Sequence, residues 1–336
     1  MNELYPRPGI YSRYGAVFHG IETSHTLAIL AQGEEGASEQ IRHLSYFNTD
    51  YGENSSLTKL LEVAFASGLT SIYAVHIPSD DAELYMSAVS ELHATCGADL
   101  FVFGTLDRAT QRTLAEAMEA YEALGFVGAD SGVIQELRQH AAALNSSRML
   151  LTAPAVASLD GLSSSGVYAA AALAAQICLM ETPMASLEDL PLFGLTAPVV
   201  TLDDSQVNLL LRAGVTPVQP GTSGPVVPYA VTTCIDGSMG AVFGDLRVTL
   251  VKDCLMRTMR QYLSEAFAQH EILTQSEVRS KTEYILELFR TEGYIDTYDG
   301  LLVYPDGTDC RLCRVDFRFR VTSPMQSILL SAQVAV

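Results

Sequence analysis

Few residues in this chain have side chains suited to catalysis or metal binding, and most of them lie far apart. Cys310 and Cys313 form a Cys-x-x-Cys pair, a spacing found in redox sites and zinc sites. The pair precedes a predicted strand and does not open a helix, and no second pair completes a zinc site. We therefore interpret both as buried structural thiols, and we expect all 6 cysteines to be reduced.

The other candidates also favour structural roles. The serine-rich run 161–166 has the spacing of neither a phosphate loop nor a nucleophile elbow, and a helix N-cap explains it better. Asp203 and Asp204 could bind a cation, but a helix cap is the simpler interpretation. The 7 histidines include no i, i+4 pair. The sequence predicts no catalytic residue, no cofactor and no metal, and an α/β enzyme of unknown substrate stays open as an alternative.

A group of basic residues stands out in the C-terminal third of the chain, namely Arg247, Lys252, Arg257 and Arg260. Arg257 and Arg260 fall outside the apolar stripe of the helix predicted there. Two interpretations are open: an ordinary solvated face, or a docking face for an acidic partner.

Composition narrows the classes of partner. The chain has 336 residues, 48% of them hydrophobic, and a formal net charge of -19. No basic excess is present to meet phosphates, which argues against nucleic-acid binding and against anionic membrane surfaces. The longest apolar run, 167–180, is too short to span a bilayer. The N-terminus lacks a secretion-signal pattern, so we expect the protein to be made and kept in cytosol-like conditions.

Apolar runs and amphipathic segments alternate through the first two thirds of the chain, which is typical of a parallel sheet with crossover helices. We predict a mixed α/β fold. The predicted strands are 26–31, 71–77, 99–103, 125–129, 148–152, 246–251 and 301–304, with short strands in 215–232. The predicted helices are 57–67 capped by Ser56, 80–93, 107–124, 132–144, 163–180, 203–213, 253–269 and 274–292, and 182–194 is a predicted loop. Thr274 and Glu277 have the spacing of a capping box at the start of the last helix.

Both ends of the chain have the composition of extended arms. Apolar and charged residues alternate strictly along one strand, which has Val315, Phe317, Phe319 and Val321 on its apolar face. After a break at Pro324, the segment 327–336 alternates again, with Ile328, Leu330, Ala332, Val334 and Val336 on one face. Near the other end, Pro8, Gly9, Ile10 and Tyr11 predict an extended arm. A terminal strand needs a sheet edge in its own chain or in a neighbour.

In their order along the chain, these segments resemble the tail sheath proteins of contractile phage tails and related contractile injection systems. The run 7–11 looks like the family's Pro-Gly-Val-Tyr start, and 315–336 is similar to its closing strand and C-terminal arm. Further similar segments are 26–36, 41–52, 71–75, 239–267 and 285–295. The chain departs from the family at Met256, where an arginine is often found. Many family members are longer and carry additional outer domains, whereas this chain is near the minimal length of a sheath protein.

The resemblance implies a structural subunit that forms hexameric rings stacked helically around a tail tube and contracts. Both arms would add strands to neighbouring subunits, with Val315 to Val321 as the acceptor and the four basic residues facing the tube. Implied partners are other copies, the tube protein, and baseplate and terminator proteins. Assembly is expected in the bacterial cytoplasm, as part of a virion tail or a bacteriocin-like particle. The expected divisions are 1–24, 25–235, 236–322 and 323–336, and a non-contractile structural tail component is the other alternative.

Overall fold

A computed structural model describes residues 21, 23–236, 240, 244–269, 274–305 and 313–322. The helices are α1 Ser56–Ala66, α2 Ala82–Cys96, α3 Arg108–Tyr121, α4 Ile134–Leu144, α5 Gly166–Cys178, α6 Asp204–Arg212, α7 Leu246–Gln269 and α8 Gln275–Thr291. The strands are β1 Leu27–Ala31, β2 Arg42–Leu44, β3 Ile72–His76, β4 Leu100–Phe103, β5 Leu124–Gly128, β6 Met149–Ala153, β7 Val156–Ser158, β8 Ser164–Ser165, β9 Glu188–Pro191, β10 Leu195–Pro198, β11 Thr216–Pro217, β12 Gln219–Gly221, β13 Gly224–Tyr229, β14 Ile295–Pro305 and β15 Cys313–Val321.

A 7-stranded sheet in the order β11-β6-β5-β4-β1-β3-β2 forms the centre of the molecule. Its strands run parallel except β2, which pairs antiparallel with β3 at one end. The central strands are buried along their whole length, as strands covered on both faces must be. The prediction of a mixed α/β fold is confirmed.

Helices cover both faces of this sheet. Helices α1 and α5 pack on one face, and α2, α3, α4 and α6 pack on the other. The small residues of α5 allow it to lie very close to the sheet: a Cβ on Gly128 would come within 2.1 Å of the Val167 nitrogen. A side chain at residue 128 would therefore push α5 away from β5.

The C-terminal third of the described chain has a core of its own. Helices α7 and α8 pack against each other and against β14, around Val251, Leu255, Leu286 and Phe289. Helix α7 begins at Leu246, so the predicted strand 246–251 is wrong. Leu246, Leu250 and Val251 are all buried, and their i, i+4, i+5 spacing is that of a helix face, which the β-branched residues of this run obscured.

Other local expectations had mixed outcomes. Ser55, and not Ser56, caps α1 by accepting a hydrogen bond from the Thr58 nitrogen. Within the predicted loop 182–194, β9 pairs with β13. The predicted caps are confirmed: Ser165 caps α5, Asp203 caps α6, and a capping box starts α8.

Within the described ranges, no helix has the length and apolar character needed to cross a bilayer.

A buried polar pair lies between α3 and α4. His140 is only 3% exposed, and its Nε2–H donates to Gln111 Oε1 at 2.6 Å. Gln111 in turn donates to the carbonyl oxygens of Thr105 and Gly128. The other ring nitrogen of His140 has no partner in the described chain. Burial, with a smaller contribution from the charge of Arg108, lowers the pKa of His140 to about 4.

This pKa shift predicts an acid-dependent loss of stability. Unfolded chains protonate His140 below about pH 6.5 whereas the native state stays neutral to about pH 4, so stability falls as the pH drops through that window. Between pH 7 and pH 4.5, we expect the free energy of unfolding of wild type to fall by about 2–3 kcal/mol more than that of His140→Gln. Urea unfolding at the two pH values measures this difference. His43→Gln, at an exposed histidine, is the control. Equal losses in wild type and His140→Gln would contradict the prediction.

Candidate assembly interface

The expected acceptor strand forms a two-stranded antiparallel sheet with β14. Along β15 the exposed residues alternate with half-buried ones. Val315, Phe317, Phe319 and Val321 lie on the half-buried face, and the last three pack against the core formed by α7, α8 and β14. The predicted alternation is confirmed, while the role of these residues as an acceptor stays a prediction.

β15 pairs on one side only among the described residues. The 2-stranded sheet consists of β14 and β15, so each strand has a second edge whose backbone groups make no ladder bonds there. An unpaired edge is a template for an added strand, and two strands alone make a marginal sheet. Within the described ranges, β15 therefore has an edge at which a further strand could pair.

A groove runs along this free edge between β15 and α7. It has a volume of about 770 Å³, and Val248, Lys252 and Met256 of α7 form its far wall. The near wall is formed by both the apolar and the charged residues of β15, namely Val315, Asp316, Phe317, Arg318, Phe319, Arg320 and Val321. Such a groove fits an extended segment with one apolar face, because backbone bonds form along the edge while alternate side chains enter the groove.

The two predicted arms lie outside the described residues. They include Pro8, Gly9, Ile10 and Tyr11 at one end, and the apolar positions Ile328 to Val336 at the other. Their pairing in a neighbouring subunit stays a prediction.

Helix α7 carries a charged stripe that faces the amino ends of the central strands. Asp253, Arg257 and Arg260 stand at i, i+4 and i+7, on one face of the helix. Asp253 forms a bidentate pair with Arg148 at the start of β6. Arg260 pairs with Glu122 at the start of β5, with an Nη2–Oε2 distance of 2.5 Å, which lowers the pKa of that carboxyl.

Asp99, just before β4, accepts from three groups. Its Oδ2 contacts His25 Nδ1 at 2.7 Å and Arg257 Nη1 at 2.5 Å, and its Oδ1 accepts from the Thr26 nitrogen at 2.8 Å. Arg257 also donates to the Ser24 carbonyl oxygen at 2.9 Å. Burial raises the pKa of Asp99, but these partners outweigh burial and hold it below its usual value. The Asp99 carboxylate thus connects the segment that leads into β1 with helix α7.

The four basic residues expected to face the tube have different surroundings. Arg257 and Arg260 form ion pairs within the subunit. Arg247 is only 3% exposed, so it presents no charge at the surface of the subunit. Lys252 lines the groove beside β15. Contact of these basic residues with a tube stays a prediction. Nothing in the sequence indicates that Arg257 and Arg260 pair with Asp99 and Glu122, which lie far away along the chain.

The described residues give little support for catalysis. At the N-terminus of α5, where α/β enzymes often bind phosphate, the chain's own Asp130 accepts from the Gly166 nitrogen at 2.7 Å. No group of three metal-ligating side chains occurs in the described ranges. Cys313 is a free and exposed thiol at the start of β15, so the expectation that it is buried is wrong. Cys310 lies outside the described residues.

No protein-family model and no curated protein matches this chain. Solved structures do match over nearly its whole length. The anti-feeding prophage (AFP) helical sheath in its contracted state is similar with a TM-score of 0.71 at 14% identity, covering 98% of this chain and 99% of that one.

Two further structures agree. The sheath complex of an extracellular contractile injection system, PVC, in its contracted state is similar with a TM-score of 0.69 at 15% identity, covering 99% of this chain and 98% of that one. The sheath tail protein from Desulfitobacterium hafniense has a TM-score of 0.66 at 10% identity, covering 93% of this chain and 100% of that one. The chain therefore has the fold of contractile tail sheath proteins.

The Arg148–Asp253 pair gives a prediction about how α7 is held. The Arg148 side chain is 2% exposed, so Arg148→Met leaves a largely buried carboxylate without its partner. We expect a loss of about 3–5 kcal/mol in the free energy of unfolding, measured with denaturant. Arg290→Gln, which breaks an exposed pair with Glu287 on α8, should lower the free energy of unfolding far less, because solvent screens an exposed ion pair. Adding Asp253→Leu to Arg148→Met should recover part of the loss, because the unpaired carboxylate is removed. A similarly small loss in Arg148→Met and in Arg290→Gln would contradict this account.

Proposed function

We propose that this protein is the structural subunit of a contractile sheath, which polymerises as stacked hexameric rings around a tail tube and contracts to drive the tube through a cell envelope. One observation carries the proposal: a sheath fold over nearly the whole chain, in which an edge of β15 without a ladder partner among the described residues lies beside a groove. Neighbours of known structure are themselves sheath subunits of contractile assemblies, and this role is taken from them as a proposal.

The free edge of β15 is the proposed place of subunit exchange. The segment 327–336 of a neighbouring copy would add a strand there and turn its apolar face into the groove. Each backbone hydrogen bond contributes about 0.5–1.5 kcal/mol net, so a short strand with its apolar contacts holds by several kcal/mol. Because donor and acceptor are different surfaces, the contact is heterologous and can continue into an open helical assembly.

The N-terminal arm is the second proposed link between subunits. It enters the described structure at residues 23–26, where Asp99 binds His25, Thr26 and, through Arg257, helix α7. A pull on this arm would therefore act on β4 and α7 together. In this proposal, contraction moves such bodies relative to one another while the arms stay paired, and relaxation of a metastable lattice supplies the energy.

The partners and place of assembly follow as parts of the same proposal. The tube protein, baseplate proteins and a terminator would complete the particle, which is assembled in the bacterial cytoplasm as a virion tail or a phage-tail-like particle. Lys252, Arg257 and Arg260 are proposed to contribute to tube contact where their side chains remain accessible. We find no observation that favours an enzyme over this structural role.

The alternation of the C-terminal arm gives a matched test of this proposal. Leu330 lies on the predicted apolar face of the arm and Leu329 on the opposite face. We expect Leu330→Asp to abolish assembly into tubes, because a carboxylate would be buried in the groove without a partner. Leu329→Asp should assemble as wild type does.

The measurement is negative-stain electron microscopy of the purified proteins, with sedimentation to quantify assembly. Circular dichroism should show that both variants fold, since the core is complete without the arm. Normal tubes from Leu330→Asp, or equal loss in both variants, would contradict strand addition in trans.

A further inference from the structure

Helix α7 contributes to two different cores. Leu246 and Leu250, in its first two turns, pack in the core on the central sheet. Further along the helix, Val251, Leu255 and Met259 pack instead in the core that α7 forms with α8, β14 and β15. We call these four elements the C-terminal unit. Helix α7 is thus seated in the central core by the apolar side chains of its amino end.

A second attachment of the C-terminal unit lies beside this end of α7. Met184, in the segment that follows α5, packs against the core of the unit. Thr182 Oγ1 donates to the Tyr294 hydroxyl at 3.3 Å. Thr182 and Leu250 line the same small cavity, so the two attachments lie side by side. Contacts concentrated at one edge of two packed bodies are the arrangement of a hinge.

A crevice separates the next turns of α7 from the central sheet. It has a volume of about 510 Å³. One wall consists of residues of α7, and the other of residues at the carboxyl ends of α2 and α3 and just before β1 and β4. Most of the lining residues are polar or charged, so a change in the width of the crevice exposes or buries little apolar surface.

Three ion pairs connect α7 to the central sheet, and their exposure rises along the helix. The side chain of Arg148, which binds Asp253, is 2% exposed. The side chain of Arg257, which binds Asp99, is 25% exposed, and that of Arg260 is 58% exposed. A buried pair is costly to break, whereas an exposed pair contributes little and is screened by salt. The contacts across the crevice therefore weaken with distance from the hinge.

We propose that the C-terminal unit turns on the central sheet about a hinge at residues 245–250, and that Arg257 and Arg260 are the latches that hold the crevice closed. With both latches paired, the unit moves together with the central sheet. Release of Arg260 from Glu122, followed by release of Arg257 from Asp99, widens the crevice and changes the direction of β15 relative to the sheet. Arg257 also donates to the Ser24 carbonyl oxygen, so the second latch holds the segment before β1 as well.

The hinge belongs to the single subunit and does not depend on the proposed sheath role. One consequence for the sheath does rest on that role. If a neighbouring copy adds a strand to β15, the hinge allows the groove to follow that neighbour between two arrangements of the lattice while the central sheet keeps its own contacts.

Distances between spin labels on the full-length, unassembled protein test the hinge. One label is placed at Glu91→Cys on α2 and the other at Ser280→Cys on α8, both exposed positions. The control pair is Glu91→Cys with Gln139→Cys on α4, where both labels are fixed to the central sheet. Sedimentation confirms that the sample is monomeric.

Native thiols are handled separately so that only the introduced cysteines carry labels. Cys96, Cys310 and Cys313 are replaced by serine in every sample. Burial raises the pKa of the Cys178 thiol to about 11, and Cys234 and Cys254 are buried, so these three stay in place and unlabelled.

We expect the α2–α8 pair to give a main distance and a minor longer one. Arg260→Glu places a like charge beside Glu122 and should raise the proportion of the longer distance about fivefold. Adding Glu122→Arg should restore the wild-type proportion, because the ion pair forms again with reversed signs. Arg112→Glu, an equal charge change at an exposed residue of α3 that does not line the crevice, should leave it unchanged.

Raised salt should increase the proportion of the longer distance in wild type, because it screens the exposed latch first. This arm needs no variant at the crevice, so it tests the hinge even where Arg260→Glu folds poorly by circular dichroism. The control pair should give one distance under all conditions.

Two results would overturn the proposal: a distance that salt leaves unchanged in wild type, or equal changes in Arg260→Glu and Arg112→Glu. Either outcome is distinguishable from failure of the proposed function. A fixed distance in subunits that build tubes would remove the hinge and leave the sheath role standing. A latch-dependent distance in a protein that builds no tubes would keep the hinge and count against the sheath role.

Discussion

The backbone of β15 is paired on one side only in the described structure, and this constraint shapes the rest of the C-terminal region. A two-stranded sheet cannot hold its place alone, so α7 and α8 must support the half-buried face of β15 from below. In the part of the chain that the structure describes, the opposite edge of β15 has no ladder partner, and a groove lies between β15 and α7. The proposed assembly by strand addition rests on this edge of β15, which has no ladder partner among the described residues.

The second requirement is that the open edge moves with the rest of the subunit. Helix α7 meets this requirement because one of its faces binds the amino ends of β4, β5 and β6 through Asp253, Arg257 and Arg260. Its other residues contact α8 and β15. The Arg148 side chain of the Arg148–Asp253 pair is 2% exposed, so loss of either partner would leave a largely buried charge without its partner. A force on the hairpin would therefore act on the central sheet as well.

Elements set by local pattern were predictable from the sequence, and contacts between distant segments were not. The period of two in β15 and the capping box of α8 depend on neighbouring residues, so both were predicted. Arg257 binds Asp99, which lies 158 residues away in the sequence, and no local sequence pattern indicates that pairing. The strand 246–251 was mispredicted because its β-branched residues outweighed a helical spacing. Only burial reveals that spacing: Leu246 and Leu250 pack in the core on the central sheet, and Val251 packs in the α7–α8 core.

Cryo-electron microscopy of the assembled particle at side-chain resolution is the most direct test of the central claim. Our account predicts that residues 327–336 of a neighbouring copy lie beside β15, bonded to its free edge, with Leu330 and Val334 turned into the groove. A segment 327–336 that folds back onto its own subunit, or an edge of β15 left unpaired in the assembly, would contradict it.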